Sequence, residues 1–515
     1  MIVARRTRLL LLVACFLCVS VVRETVAADG TVQLTAVDKA TGEPIPCRLH
    51  LRQGRENGRI RKVRDLPFWH DHIVFPGQIT LELPKGRYFF TVEHGPEYTW
   101  NTGHFEIQHN SQGTETIELL RGVDMASKGW YAGDLEVHRP FDEIGLLMKA
   151  EELHLCQLLA WDSRKGELAK ALPDEPTVAF GEKFFCQTAV GQIRHPGGTL
   201  AVYGLAAPPV LPGKSGEYPP LSDLAAQMRE SEEVWVDLTD PASWDLPLLI
   251  AHDGIDSIRV VHERMCRDEI VKSEAGLKQR EAMRYPGIEG PALWSQDIYF
   301  RLLESGIRIP PTAASASGEM PNPVGYNRVY VFLEEPFSVE AWWSGLRAGR
   351  VTVGNGALLQ PWVEGRRPGH VFRSPEGTPL QFEPLLSLSY RGQEPIRYIE
   401  MVRNGEVVYS LTLKEYAERQ GKLLPLEFEQ SGWFLIRVVS EVQQTYRFTM
   451  TAPYYVEIGG KPRVSRRAAQ FFLDWVYERA RQIRLSDASE QAHVIAAHRR
   501  ARDYWRELVD DANAE

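Results

Sequence analysis

The stretch Trp130-Tyr131-Ala132-Gly133-Asp134-Leu135-Glu136-Val137-His138-Arg139-Pro140 constrains the fold more than any other part of this chain. If it is extended, Asp134, Glu136 and His138 share one face and Leu135 and Val137 the other, because side chains alternate along a strand. A carboxylate and an imidazole two residues apart at a strand end can share one metal ion. The same pattern also describes a half-buried strand whose polar face meets water. The stretch closes one run of short strands and opens a run in which helical and apolar segments alternate.

Upstream, residues 29–121 read as all-β. Residues 31–37 alternate, Asp38-Lys39-Ala40-Thr41-Gly42 makes a turn, and residues 47–51 alternate again. Further strands are predicted at 78–83, 87–93 and 114–119, with Pro84-Lys85-Gly86 as a turn, a pattern that suits a small β-sandwich. Here His70-Asp71-His72 follows Phe68 and Trp69. Two histidines at this spacing can bind a metal or form a strand-edge pair, and the sequence places no third ligand near them.

From residue 122 to about 362 the periodicity changes. Residues 142–153 carry Ile144, Leu146, Leu147, Ala150 and Leu153 on one helical stripe. Apolar strand candidates follow at 156–161, 198–205 and 255–261, with a buried run at 246–250 and helices at 222–231 and 298–305. Alternation of this kind predicts a parallel α/β layer or barrel. The Pro- and Gly-rich residues 206–220 read as a loop, a candidate lid. Residues 363–462 turn β again, with Asn404-Gly405 as a hairpin turn between two alternating runs. Residues 463–515 read as a helical hairpin whose stripes pack on the second sandwich. A capping-box-like Asp487-x-x-Glu490 starts the second helix.

The 515 residues, 43% hydrophobic and 25% charged, describe a globular protein of several domains. Arg5, Arg6 and Arg8 precede an apolar run at 9–22 and the small residues Val26-Ala27-Ala28, the organisation of a signal peptide. Leu12-Val13-Ala14-Cys15 has the form of a lipoprotein box, but it crowds the basic residues, so simple secretion is the reading. Removing residues 1–28, which carry four Arg and one Glu, takes the net charge from −9 to −12. No basic stripe or nucleic-acid-binding signature stands out, and no membrane span is expected in the mature chain. Cys47, Cys156, Cys186 and Cys266 remain; without a CxxC pair they exclude a zinc ribbon and leave disulfides and buried thiols equally open.

The segment Gly133-Asp134-Leu135-Glu136-Val137-His138 resembles the Gly-Asp-Leu-His-x-His opening of the PHP (polymerase and histidinol phosphatase) superfamily. More narrowly, the chain resembles secreted, multidomain carbaryl-hydrolase-like metallohydrolases. Residues 147–154, Gly254-Ile255-Asp256-Ser257-Ile258 leading to His262, and the long block at 305–330 carry the resemblance, with Trp342-Trp343-Ser344-Gly345 through Arg350 and Asn355-Gly356. The sandwich at 29–121 is similar to carboxypeptidase-regulatory or transthyretin-like modules.

The resemblance implies a multidomain α/β plus β chain. A PHP-like distorted (β/α)₇ barrel at 122–362 would be flanked by two β-sandwiches, with a C-terminal helical hairpin. It implies divalent metal (zinc, manganese or iron) held by His and carboxylates at strand ends, activating water for hydrolysis. Carried over residue by residue, Glu136 stands where the family has its first His, and His138 is kept. Asp162 survives in Trp161-Asp162-Ser163 without the following His. Gln187 or a neighbour falls where a bridging Glu is expected, and Ser315-Ala316-Ser317-Gly318 replaces the late Asp-x-His. His195 and His262 are further ligand candidates. The implied metal set is therefore Glu136, His138, Asp162, His195 and His262, enough for one ion, with Asp162 as ligand or general base. His154 reads as a packing or surface residue, and His252 as a weaker strand-end candidate. The function expected is an exported hydrolase of the ester, phosphoester or carbamate class acting on a small-molecule or envelope-derived substrate. The alternative is an inactive barrel that binds a ligand or glycan in the cell envelope.

Overall fold

The computed structural model describes residues 28–55, 59–60, 62–167, 172–209, 216–230, 233–390 and 394–515. The signal segment expected at 1–28 lies outside them except for its last position, and the middle of the 206–220 loop is also outside. Among the described residues the fold is mixed, rich in sheet, with helices packed at its sides and no closed barrel. Among the described residues no helix is long and apolar enough to cross a membrane.

The N-terminal strands form two sheets around one core. Gly30–Asp38 lies between Gln78–Leu83, antiparallel, and Gln112–Leu119, parallel. Its burial alternates along all nine residues, as its sequence requires of a sheet with one wet face. The other sheet holds His72–Phe75, Cys47–Gln53, Gly86–Glu93 and Asn101–Ile107. Val32, Leu34, Leu49, Leu51, Tyr88 and Ile117 meet between the two. This unit docks on the next through buried ion pairs. Arg48 bonds both Glu93 (2.7 Å) and Glu151, and Arg267 reaches back to Glu93 (2.6 Å).

Trp130–Val137 is central to a long mixed sheet. It runs parallel to Leu155–Leu158 and antiparallel to Arg328–Phe332, and the helix Phe141–Glu151 connects the parallel pair. The barrel expectation anticipated a parallel neighbour on both sides. Instead the sheet continues through Val351–Gly354 and Phe448–Thr451 into Gly432–Ser440, so ladder bonds cross the boundary expected at 362. A second sheet runs through Trp161–Asp162, Val190–His195, Gly198–Tyr203, Trp235–Leu238, Ser257–Val261 and Pro311–Ala313. Single backbone bonds stitch the two sheets together. On one side Leu159 N–H donates to Val137 O (2.9 Å) and Ala160 N–H to Val190 O (2.9 Å). On the other, Ala316 N–H donates to Glu136 O (2.9 Å) and His138 N–H to Ser317 O (2.7 Å).

The apolar run at 246–250 is a helix, Leu246–Ala251, with proline in its first turn, where a missing N–H costs nothing. The tail forms the helices Arg466–Gln482 and Ala488–Asp510, capped by Ser465 and Asp487. Their stripes do not pack on the second sandwich as expected. They cover Leu246–Ala251 and Gly290–Glu304: Phe472 stacks on Trp505 at 4.7 Å, and the Trp505 indole donates to Pro247 O (2.9 Å). Two ion pairs add direction, from Arg479 to Asp245 (2.7 Å) and to Glu217 (2.5 Å). Cys47, Cys156, Cys186 and Cys266 are all free and buried.

Candidate metal centre

Glu136 and His138 leave the end of Trp130–Val137 on one face, two residues apart, as the alternation demands. The His138 Nε2 lies 2.8 Å from Glu136 Oε1. Glu319 joins them from the segment that follows Pro311–Ala313, with Oε2 3.7 Å from His138 Nε2. Ligand atoms of these three residues all lie within 4.8 Å of one another.

The placement of Glu319 has an identifiable cause. Asp134, fully buried one turn of the pleat below Glu136, accepts backbone N–H bonds from Ser315 (3.0 Å) and Gly325 (2.8 Å). It thereby anchors both ends of the returning segment. Gly318, at φ +102°, passes so close to His138 that a Cβ there would stand 2.4 Å from His138 O. On the outer side, the Trp69 indole of the N-terminal unit donates to Met320 O (2.8 Å).

Basic side chains surround the three candidate ligands. Arg259, 0% exposed, bonds Glu136 Oε2, sets Nε and Nη2 each 3.1 Å from Asp237 Oδ2, and donates to Tyr203 OH (3.2 Å). Ser257 (2.6 Å) and Thr312 (2.7 Å) satisfy the other oxygen of Asp237. Burial works to raise the Glu136 carboxyl, but Arg259 and His138 hold it far below the usual carboxylate range. Burial, and then the charge of Glu136, push Glu263 up to about 7. At the mouth, Lys165 (3.2 Å) and Arg194 (3.4 Å) sit on Glu319.

The other expected ligands do not join this group. The Asp162 Oδ1 caps a turn by accepting from Arg164 N–H (2.8 Å) and Lys165 N–H (3.1 Å), and its Oδ2 is held by Arg194. Arg194 faces this mouth, so His195, one residue on, faces away. Its Nδ1 accepts from Gly197 N–H (2.9 Å) and stands 3.7 Å from Asp245. His262 lies just past Ser257–Val261, whose register shifts between Arg259 and Val261, and it is turned to the helix Gly290–Glu304, with Nε2 3.0 Å from Ser295 Oγ. Burial pushes His262 down to about 3. Gln187 is held by Gln157 (2.8 Å) and Trp343 (2.9 Å). His154 is buried under Tyr131, and His252 bonds Ala497 O (3.1 Å) in the tail.

The donor set of one imidazole and two carboxylates suits one borderline divalent ion. Bonds of about 2.0–2.1 Å in a tetrahedron place donor atoms about 3.4 Å apart. The observed separations of 2.8 and 3.7 Å bracket that spacing. The residues therefore fit one metal, and among the described residues no further ligands converge there for a second. Glu319, Arg259, Asp237 and Glu263 were missed in the sequence. The available signal for Glu319 was that a glutamate follows directly on Ser315–Gly318, where the resemblance placed lost ligands.

No family model matches the chain, and no curated protein matches it. Among solved structures it is similar to the Bacillus anthracis TIE protein, at 20% identity over 22% of this chain and 20% of that one, with a TM-score of 0.15. It is also similar to a β-glucuronidase from Parabacteroides merdae, at 10% identity over 81% of this chain and 62% of that one, with a TM-score of 0.17. The chain thus spans a fifth of the first protein and about three fifths of the second, and likenesses this slight carry no argument.

Proposed function

We propose that the chain is an exported, PHP-like metal-dependent hydrolase with a one-metal site formed by Glu136, His138 and Glu319. Its substrate class is an ester, phosphoester or carbamate of small-molecule or envelope origin. The observation that carries this reading is the arrival of Glu319, from 181 residues further along the chain, beside the Glu136–His138 pair. The barrel reading rests on the backbone bonds by which Leu159, just before Trp161–Asp162, and residues 316–317, just after Pro311–Ala313, meet the end of the strand carrying Glu136. Bound there, zinc, manganese or iron would polarise a carbonyl or phosphoryl oxygen. The chain's own residues do the rest. Arg259 fixes the carboxylate of Glu136 in one orientation. Lys165 and Arg194 offer positive charge at the mouth, where an anionic substrate group enters.

The second reading, an inactive ligand-binding barrel, is favoured by one observation. Glu136 and Asp162 already carry guanidinium partners, Arg259 and Arg194. Metal analysis and a hydrolysis panel on the purified protein separate the two. The hydrolase reading expects turnover and a divalent ion at this site, so His138→Ala and Glu319→Ala should each abolish turnover and lower the bound metal by one equivalent. Turnover that survives His138→Ala would overturn it, and stoichiometric metal without turnover would favour the second.

A further inference from the structure

A second cluster of ligand atoms lies in the N-terminal unit. His50, on Cys47–Gln53, and His72, on His72–Phe75, face each other across paired antiparallel strands, their rings 5.5 Å apart. Asp71 stands between them, with Oδ2 3.0 Å from His50 Nδ1 and Oδ1 3.1 Å from His72 Nδ1. All three residues are at least nine-tenths buried, and their ligand atoms lie within 4.8 Å of one another. His70, the nearer histidine in sequence, sits exposed in the turn at φ +48°.

We propose that His50, Asp71 and His72 form a second metal site, a two-imidazole, one-carboxylate site for zinc or a similar borderline divalent ion. The donor separations of 3.0 and 3.1 Å approach the spacing of about 3.4 Å that such an ion sets. The surroundings supply what an imidazole ligand needs. Glu93 Oε1 lies 3.3 Å from His50 Nε2, placed to accept an N–H bond from that nitrogen in the tautomer that leaves Nδ1 free for the ion.

Two cations must yield. Arg52, 3.7 Å from Asp71 and 32% exposed, turns to solvent. Arg267, which donates to His50 Nε2 (2.9 Å), keeps its bond to Glu93 (2.6 Å). Arg267 belongs to the central unit, so the site sits on the seam and its filling is felt across it.

The test uses the full chain carrying His138→Ala and Glu319→Ala, stripped with chelator and titrated with zinc. One equivalent is expected, together with a raised unfolding temperature. Adding His72→Ala should weaken zinc at least 100-fold and abolish the thermal shift. No saturable zinc, or zinc binding unaffected by His72→Ala, overturns the proposal. Should that variant lose cooperative unfolding, His72→Gln replaces it under the same criteria. X-ray absorption of the cobalt-loaded protein must report two imidazoles; a count of none or one also overturns it.

Discussion

At the scale of single residues, Arg259 organises the centre of the molecule. It is a fully buried cation whose nearest carboxylate partners, Glu136 and Asp237, come from separate strands. Removing one member of such a group strands the others without a counter-ion, which costs about 3–5 kcal/mol. Arg259→Met is therefore expected to destabilise the protein by about that amount in urea titrations. Glu136→Gln in the same background should recover part of the loss, because it removes one stranded charge. Equal destabilisation in single and double variants would show that Glu136 and Arg259 are not coupled. His262 contributes to pH dependence. Burial depresses its folded pKa to about 3, while the unfolded value is about 6.5. Its contribution is intact above about pH 6.5 and is lost as pH falls, because only the unfolded chain then takes up the proton. His262→Gln should flatten the stability slope between pH 6 and 5 by about 1.4 kcal/mol per pH unit. An unchanged slope would mean that His262 is protonated in the fold.

At the scale of elements, the returning segment at 314–320 decides what the strand end can bind. Asp134 anchors it, Gly318 lets it pass under His138, and Trp69 braces it from outside. Gly318→Ala combines a positive φ with a Cβ 2.4 Å from a backbone oxygen, so the segment must shift. Zinc affinity at Glu136, His138 and Glu319 is expected to fall about 10-fold or more, the penalty typical of a disturbed supporting shell. Affinity equal to wild type in isothermal titration would exclude Glu319 as a ligand.

At the scale of the whole molecule, the units are coupled more tightly than their sequence boundaries suggest. One sheet runs from Thr177–Ala179 through Trp130–Val137 into the C-terminal strands. Arg48 and Arg267 pin the N-terminal unit with buried charge, and the tail clamps two helices of the central unit. The helical tail was legible as two helices because its stripes and caps are local. Its docking partner was not, because Arg479 and Trp505 meet residues 234 and 258 positions away.

The same division runs through the whole chain. The alternation of 130–137, the hairpin at Asn404-Gly405, where both residues adopt positive φ, and the amphipathic stripes depend on neighbours within a few residues. The sequence by itself determined them. Which polar residues meet was settled by strand parity and chain return. The parity that turns Arg194 inward turns its neighbour His195 out, and only the tertiary path of residues 314–319 carries Glu319 to Glu136 and His138. A ligand group is a coincidence of three points in space, and periodicity along one chain fixes only the direction in which each side chain leaves its own strand.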